Sequence, residues 1–119
     1  MRIRTRSWIE DADGKVVYGL GRHRILRAIR DRGSIKAAAG QLGISYRGLW
    51  GRLRLSERRL GFSLVESRPG RGASAGTKLT ERGLVLFEAY ERAMTEIYSA
   101  SDRVFEERLK PLVEDHGSH

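Results

Sequence analysis

A short run of side chains suited to contact nucleic acid follows Ser45. Tyr46 and Arg47 come directly after it, and Trp50 and Arg54 follow at steps of three and four residues. A guanidinium fork can donate two hydrogen bonds to a guanine edge, a tyrosine ring can meet a thymine methyl group, and free amides at a helix start can hold a phosphate. We therefore expect this run to contact double-stranded DNA, with Arg47 reading a guanine and Arg54 meeting the backbone. For Trp50, a DNA contact and packing at the edge of the core are equally open.

Charge is distributed unevenly along the chain, in a way that favours a polyanionic partner. The 119 residues include 23 Lys and Arg against 15 Asp and Glu, for a net charge of +8. Residues 1–80 contain 18 basic and 6 acidic side chains, whereas residues 81–119 contain 5 and 9. Only 4 of the 23 cations are lysine, and arginine suits phosphate and guanine, although a GC-rich genome would produce the same bias. A basic body joined to an acidic end indicates two different surfaces.

The elements around Ser45 are predicted to be two short helices joined by a tight turn. Ser34 is a favourable N-cap for the first helix, and Gly43 stands where the chain must leave it. Ser45 caps the second helix, whose apolar residues recur at helical spacing and whose end is marked by Gly61. The inward stripe of that helix is Leu49, Leu53, Ser56 and Leu60. Residues 34–61 therefore predict a helix-turn-helix, in which the second helix enters the major groove and Ser34 joins the DNA contacts.

β-Structure is predicted on both sides of these helices. β-prone residues surround an Asp-Ala-Asp-Gly turn, which predicts a hairpin over residues 3–18. A glycine-rich loop between two short strands predicts a wing over residues 64–79, from which Arg68 and Arg71 would reach a phosphate or the minor groove. The alternative of a nucleotide-binding loop fails on its context, because a strand follows here and not the Gly-Lys-Ser/Thr and helix that such loops need.

A long last helix is predicted over residues 80–109, followed by a polar tail at 111–119 that we expect to be disordered. A helix of roughly 30 residues is about 45 Å long, which is more than one small domain can cover. Its apolar residues alternate at steps of three and four, as in a coiled coil, and this predicts a homodimer of a domain formed by residues 1–110. The residues of the predicted dimer interface are Phe87, Tyr90, Met94, Ile97, Tyr98, Val104 and Phe105.

Several motifs together resemble one family of regulators. Residues 33–50, GSIKAAAGQLGISYRGLW, are similar to the DNA-binding domain of the ModE-type molybdate-responsive regulators. Residues 79–83, LTERG, fit both that family and the related LysR-type N-terminal domain. The resemblance implies a mainly α fold with small β: a winged helix-turn-helix with an N-terminal β-hairpin and a long C-terminal dimerisation helix. It also implies a homodimer that regulates transcription at an operator of twofold symmetry.

Molybdate control is implied by the same resemblance, but only through a C-terminal oxyanion-binding domain. We expect this chain to lack that domain. Control by a separate effector-binding protein then stays open.

Other classes of function find little support in the sequence. There is no cysteine, and none of the three histidines has a carboxylate or nucleophile at useful spacing, so we expect no enzyme activity, no metal site and no cofactor. His23, between two arginines, is expected to be a solvated surface residue. Short apolar runs indicate no membrane span and a cytoplasmic location. RNA is disfavoured because a helix does not fit the A-form major groove. The alternative to DNA binding is a winged-helix protein–protein interaction module or co-regulator.

Overall fold

The computed structural model describes residues 1–70 and 76–114, which form a mainly helical fold with two small antiparallel sheets. The elements in chain order are β1 (Ile9–Glu10), β2 (Val16–Tyr18), α1 (Leu20–Arg32), α2 (Ile35–Leu42), α3 (Tyr46–Leu60), β3 (Val65–Arg68), β4 (Gly76–Leu79), α4 (Glu81–Val104), a π-helical turn (Phe105–Leu109) and α5 (Lys110–Val113). The helix-turn-helix is α2 with α3, and β3 with β4 forms the wing. This arrangement confirms the fold class predicted from the sequence.

The starts of the two motif helices are set by serine side chains, as the sequence predicts. Ser34 Oγ accepts a hydrogen bond from the Ala37 amide at 3.0 Å, and Ser45 Oγ accepts one from the Gly48 amide at 2.9 Å. Between the helices the chain turns at Gly43, whose φ of 68° lies in the left-handed region that glycine adopts without steric cost. The two helices therefore begin and end where local signals place them.

The hydrophobic core lies between α1, α2, α3 and the first half of α4. Ala38 and Ala39 are buried on α2, and their small side chains let this helix pack closely against α1. The largest fully buried apolar side chains are Tyr18, Phe87, Leu26, Ile29, Leu49, Leu53 and Leu64. These residues come from α1, α3, α4 and both sheet regions, and Ile35, Ala38 and Ala39 of α2 are buried against them, so the core fixes the hairpin, the helices and the wing as one body.

His23 is only 2% exposed, so its prediction as a solvated surface residue is wrong. It lies three residues before Leu26 on the inner face of α1, and its ring stacks on Phe87 with 4.3 Å between centroids. Nε2 lies 2.9 Å from Glu91 Oε1, and because a carboxylate can only accept, Nε2 carries the proton. Nδ1 then accepts from the Tyr18 hydroxyl at 2.6 Å. The ring thus connects the hairpin, α1 and α4.

The first strand is shorter than the sequence predicts. The sequence predicts a hairpin over residues 3–18, but β1 contains only Ile9 and Glu10. The preceding segment leaves the sheet and runs beside α4, where the Ser7 carbonyl accepts from the Tyr90 hydroxyl at 3.0 Å. At its end, the Met1 ammonium pairs with Glu114 at 2.8 Å. Contacts to a helix more than 80 residues away in sequence replace strand pairing here.

The predicted dimer interface on α4 is partly taken up by the chain's own packing. Phe87 and Tyr90 are buried in the core, Phe105 is also buried, and Met94 packs partly against the core. Phe87, Tyr90 and Phe105 therefore have little surface left for a partner, which corrects the interface predicted from the seam. The predicted interface residues that stay exposed are Ile97, Tyr98 and Val104.

The helical segment continues past its predicted end at Leu109, because it accommodates Pro111. A proline has no N–H and its ring crowds the carbonyl four residues earlier. Just before it the helix widens into a π turn, in which the Lys110 amide donates to the Phe105 carbonyl. Helix then continues to Val113, within the tail predicted to be disordered; residues 115–119 of that tail lie outside the described residues.

Acid should destabilise the protein through His23. Burial, together with the charges of Arg27 and Arg30, lowers the pKa of His23 from 6.5 to about 4. Between these values the unfolded chain binds a proton that the folded chain does not, so we expect the free energy of unfolding to fall by about 2–3 kcal/mol as pH drops from 6.5 to 4. Urea unfolding at a series of pH values measures this.

The matched variant His23→Gln has no titrating group at this position and should lose that part of the pH dependence. An identical pH profile for both proteins would contradict the assignment.

Candidate nucleic-acid interface

The outer face of α3 presents the residues that the sequence singled out. Leu49 and Leu53 are fully buried on the inner face, and this fixes the rotation of the helix. Tyr46 is consequently 56% exposed, and Arg47 is exposed beside it at the first turn. Ser45, also exposed, caps that turn. The first turn of α3 is therefore open to a ligand.

Trp50 and Arg54 do not extend freely from α3. Trp50 is half-buried and packs against the core, with its ring edge-on to Tyr46 at 6.4 Å between centroids. The Arg54 guanidinium lies over the Trp50 ring, 4.4 Å from its centroid. Arg54 Nη1 also donates to Glu57 Oε1 at 2.8 Å. Trp50, which the sequence left open, and Arg54, which it predicts at the DNA backbone, thus belong to a cluster ordered by the protein itself.

Glu57 is a residue of this interface that the sequence analysis missed. It is only 7% exposed, and its Oε2 accepts hydrogen bonds from the amides of Leu64 at 2.7 Å and Val65 at 3.4 Å. One buried carboxylate therefore holds the recognition helix α3 and the first strand of the wing in a fixed relation. Its position four residues after Leu53, next to the inward stripe, was the available signal.

The wing is also attached to the start of the helix-turn-helix. β3 and β4 pair from Val65–Leu79 to Arg68–Gly76. The Gly33 carbonyl accepts from the Thr77 amide at 2.9 Å, and Arg68 Nη2 approaches the same oxygen at 3.4 Å. Arg68 is exposed, and its approach to Gly33 places it beside the α2 N-terminus that Ser34 caps.

The structure thus brings together Ser34 with Arg68, and Ser45 with Tyr46 and Arg47. Arg71, predicted at the wing tip, lies outside the described residues.

The charge of this face is strongly positive. Helix α3 carries five arginines, and its single acidic residue, Glu57, is buried. The arginines of α3 are Arg47, Arg52, Arg54, Arg58 and Arg59. Such a surface attracts a polyanion and would repel a basic partner.

In residues 1–70 and 76–114, no group of three or more histidine or acidic side chains is placed to hold a metal ion. Over the same ranges, no helix combines the length and the apolar character that crossing a bilayer requires.

Residues 20–84 match the family described as bacterial regulatory helix-turn-helix protein, lysR family. Over 72 residues the chain is 38% identical to the molybdenum-pterin-binding protein MopB of Rhodobacter capsulatus, an alignment that covers 60% of this chain and 27% of MopB. The chain therefore spans only about a quarter of the length of that relative.

Solved structures show the same fold. The CbnR DNA-binding domain in complex with DNA is 25% identical, with a TM-score of 0.54, over 70% of this chain and 90% of that one. The BenM DNA-binding domain with benA site 1 DNA is 26% identical, with a TM-score of 0.50, over 64% and 84%.

The position of the wing should depend on Gly83. The Leu64 carbonyl accepts from the Thr80 amide, and a Cβ on Gly83 would collide with that carbonyl oxygen. We expect Gly83→Ala to lower the free energy of unfolding by about 1–3 kcal/mol. The matched control is Gly51→Ala at an exposed position of α3, where an added Cβ meets no atom within 4 Å. This substitution should raise the free energy of unfolding by about 0.5–1 kcal/mol. Denaturant unfolding measures both, and equal effects would contradict the close packing at Gly83.

Proposed function

The chain belongs to the bacterial regulatory helix-turn-helix family of the LysR type, and from that premise we propose that it is a ModE-like regulator that binds a specific operator sequence as a homodimer. The observation that carries the proposal is the open first turn of α3, where Tyr46 and Arg47 are exposed beyond a serine cap. In a helix-turn-helix, the N-terminal residues of the second helix meet the base edges.

Each contact has a distinct role in this proposal. Arg47 is the candidate for two hydrogen bonds to a guanine, and Tyr46 offers its ring to a thymine methyl group. The capped helix starts at Ser34 and Ser45 present free amides to phosphates, and Arg68 adds a cation beside the first of them. In this proposal the first turn of α3 makes the base contacts, and the two helix starts together with Arg68 make the backbone contacts.

The ModE-like assignment has two supports. One is the identity with MopB, whose name records binding of a molybdenum pterin by that protein. The other is the hairpin of β1 and β2, which precedes the helices as the ModE-type resemblance implies.

Sequence-specific binding should depend on salt and on Arg47. With six to ten phosphate contacts, affinity for the preferred duplex should fall about 10³- to 10⁵-fold between 50 and 200 mM salt. Arg47→Ala should flatten the preference among sequences, at a loss of about 1–3 kcal/mol on the preferred duplex. Selection from random duplexes followed by titration at several salt concentrations measures both effects. Unchanged sequence preference in the variant would contradict the role of Arg47.

The homodimer is supported by the shape of the chain and by a free face of α4. The described molecule measures 69 × 32 × 23 Å, because the second half of α4 projects beyond the core. The second half of α4 carries a second apolar stripe, which is rotated about a quarter-turn around the helix axis from the side that packs on the core. Its residues, spaced by four, three and four, are Ala93, Ile97, Ala100 and Val104. Two alanines in a stripe permit close approach of a second helix.

The charges beside this stripe favour an antiparallel second copy. An antiparallel pair that places Ala93 against the partner's Val104 and Ile97 against the partner's Ala100 also places Glu96 opposite the partner's Arg103. Glu96 and Arg103 are both exposed, and neither takes part in an ion pair among the described residues. Symmetry makes this pair twice in each dimer.

Charge exchange tests this arrangement. Glu96→Arg or Arg103→Glu alone sets like charges against each other at two places, and should raise the dimer dissociation constant about tenfold. The double exchange should restore affinity close to that of the native chain. Sedimentation equilibrium measures the constants, with Glu88→Arg on the opposite face as control. If the double variant loses as much dimer affinity as the two single variants together, the Glu96–Arg103 pairing is wrong. If Ile97→Glu still forms the dimer fully, the dimer uses another surface.

A further inference from the structure

Arg54 is ordered by its own protein before any ligand arrives. Its charge and place on α3 suggest a backbone contact, which is what the sequence alone predicts. We propose instead that Arg54 reads a guanine, as a second specificity residue of the operator complex; this rests on the DNA-binding function proposed above.

Two neighbours hold the guanidinium in place. Glu57 Oε1 accepts from Arg54 Nη1 at 2.8 Å, and the ring of Trp50 supports the guanidinium plane at 4.4 Å from the ring centroid. Neither neighbour can move easily. Glu57 is buried and bound through its other oxygen to the Leu64 amide, and Trp50 packs against the core.

This arrangement leaves the donors that base reading needs. A guanidinium has five N–H groups, of which Glu57 engages one nitrogen and Trp50 only a face. The Arg54 side chain is still 55% exposed, so its remaining edge is open on the outer face of α3. Because the side chain is already ordered, forming two directed hydrogen bonds costs less conformational entropy.

The same arrangement disfavours a simple phosphate contact. A phosphate is attracted mainly by net charge, and the negative charge of Glu57 cancels much of the charge of Arg54 at a distance. The directed donors are unaffected by that cancellation. Glu57 therefore weakens the attraction between Arg54 and a phosphate. Arg54 keeps the directed donors that suit a fixed acceptor pair such as guanine O6 and N7.

The position of Arg54 defines which base pair it would read. It lies seven residues after Arg47 on α3, or about 10 Å along the helix axis. At 3.4 Å per base pair, this separation corresponds to about three base pairs. We expect two guanine preferences about three base pairs apart in each half-site, one for each arginine.

The test compares Arg54→Lys with Arg92→Lys on the duplex that the native chain selects. Lysine keeps the charge but cannot donate as a fork, so Arg54→Lys should lose about tenfold or more in affinity and relax one guanine preference. Arg92, exposed on α4 and not among the arginines of α3, is the control for the same substitution and should change neither. Thermal unfolding of each variant verifies that the fold is retained.

A change in the DNA supplies an independent measurement on the unaltered protein. Replacing the assigned guanine by 7-deazaguanine removes only the N7 acceptor, and should weaken the native chain but not Arg54→Lys. If Arg54→Lys keeps the full preference, or if Arg54→Ala weakens all duplexes alike and lowers the salt slope by about one, Arg54 is a phosphate contact and the inference is wrong. A native chain that selects no sequence at all would instead refute the proposed function itself.

Discussion

Leu49 and Leu53 are completely buried where α3 packs against the rest of the core, and this burial decides what the outer surface of the helix can do. Rotating α3 to present another face would expose both leucines, at about 1.5–3 kcal/mol each. Tyr46 and Arg47 are therefore held outward by packing that they do not take part in. The basic character of the outer face follows directly, since the arginines occupy the positions that the leucines leave.

Polar contacts add precision that apolar packing cannot provide. Glu57 ties α3 to the wing through the Leu64 amide, and Gly33 ties the wing to the start of α2 through the Thr77 amide. A buried carboxylate left without these partners would be strongly unfavourable, so the wing cannot shift without losing stability. Two surfaces suited to contact one duplex, the first turn of α3 and the base of the wing, are consequently held in a constant relation.

Helix α4 has two apolar faces. Phe87 and Tyr90 complete the core of the chain, and the N-terminal segment continues this cover toward the far end of the helix. The stripe that contains Ile97 and Val104 lies about a quarter-turn away and stays exposed. His23 attaches this helix to the rest of the fold, because its ring, on α1, is hydrogen-bonded to Tyr18 of the hairpin and to Glu91 of α4. The projecting helix is thus attached rigidly to the part that carries α3.

Local signals in the sequence were sufficient for the helix-turn-helix and the wing. Ser34, Ser45 and Gly43 act on backbone groups a few residues away, so their effect does not depend on the rest of the fold. The exposed first turn of α3 followed from the spacing of Leu49 and Leu53 for the same reason.

Only the tertiary structure decided the features that depend on partners distant in sequence. The burial of His23 needs Phe87 and Glu91, and the path of the first residues needs Tyr90. The sequence predicts the apolar seam on α4 as one interface, because periodicity shows only that residues share a side of a helix. It does not show whether the chain's own core or a partner covers them. Arg54 appeared to be a free cation for a similar reason: the carboxylate beside it is held by an amide that α3 does not contain.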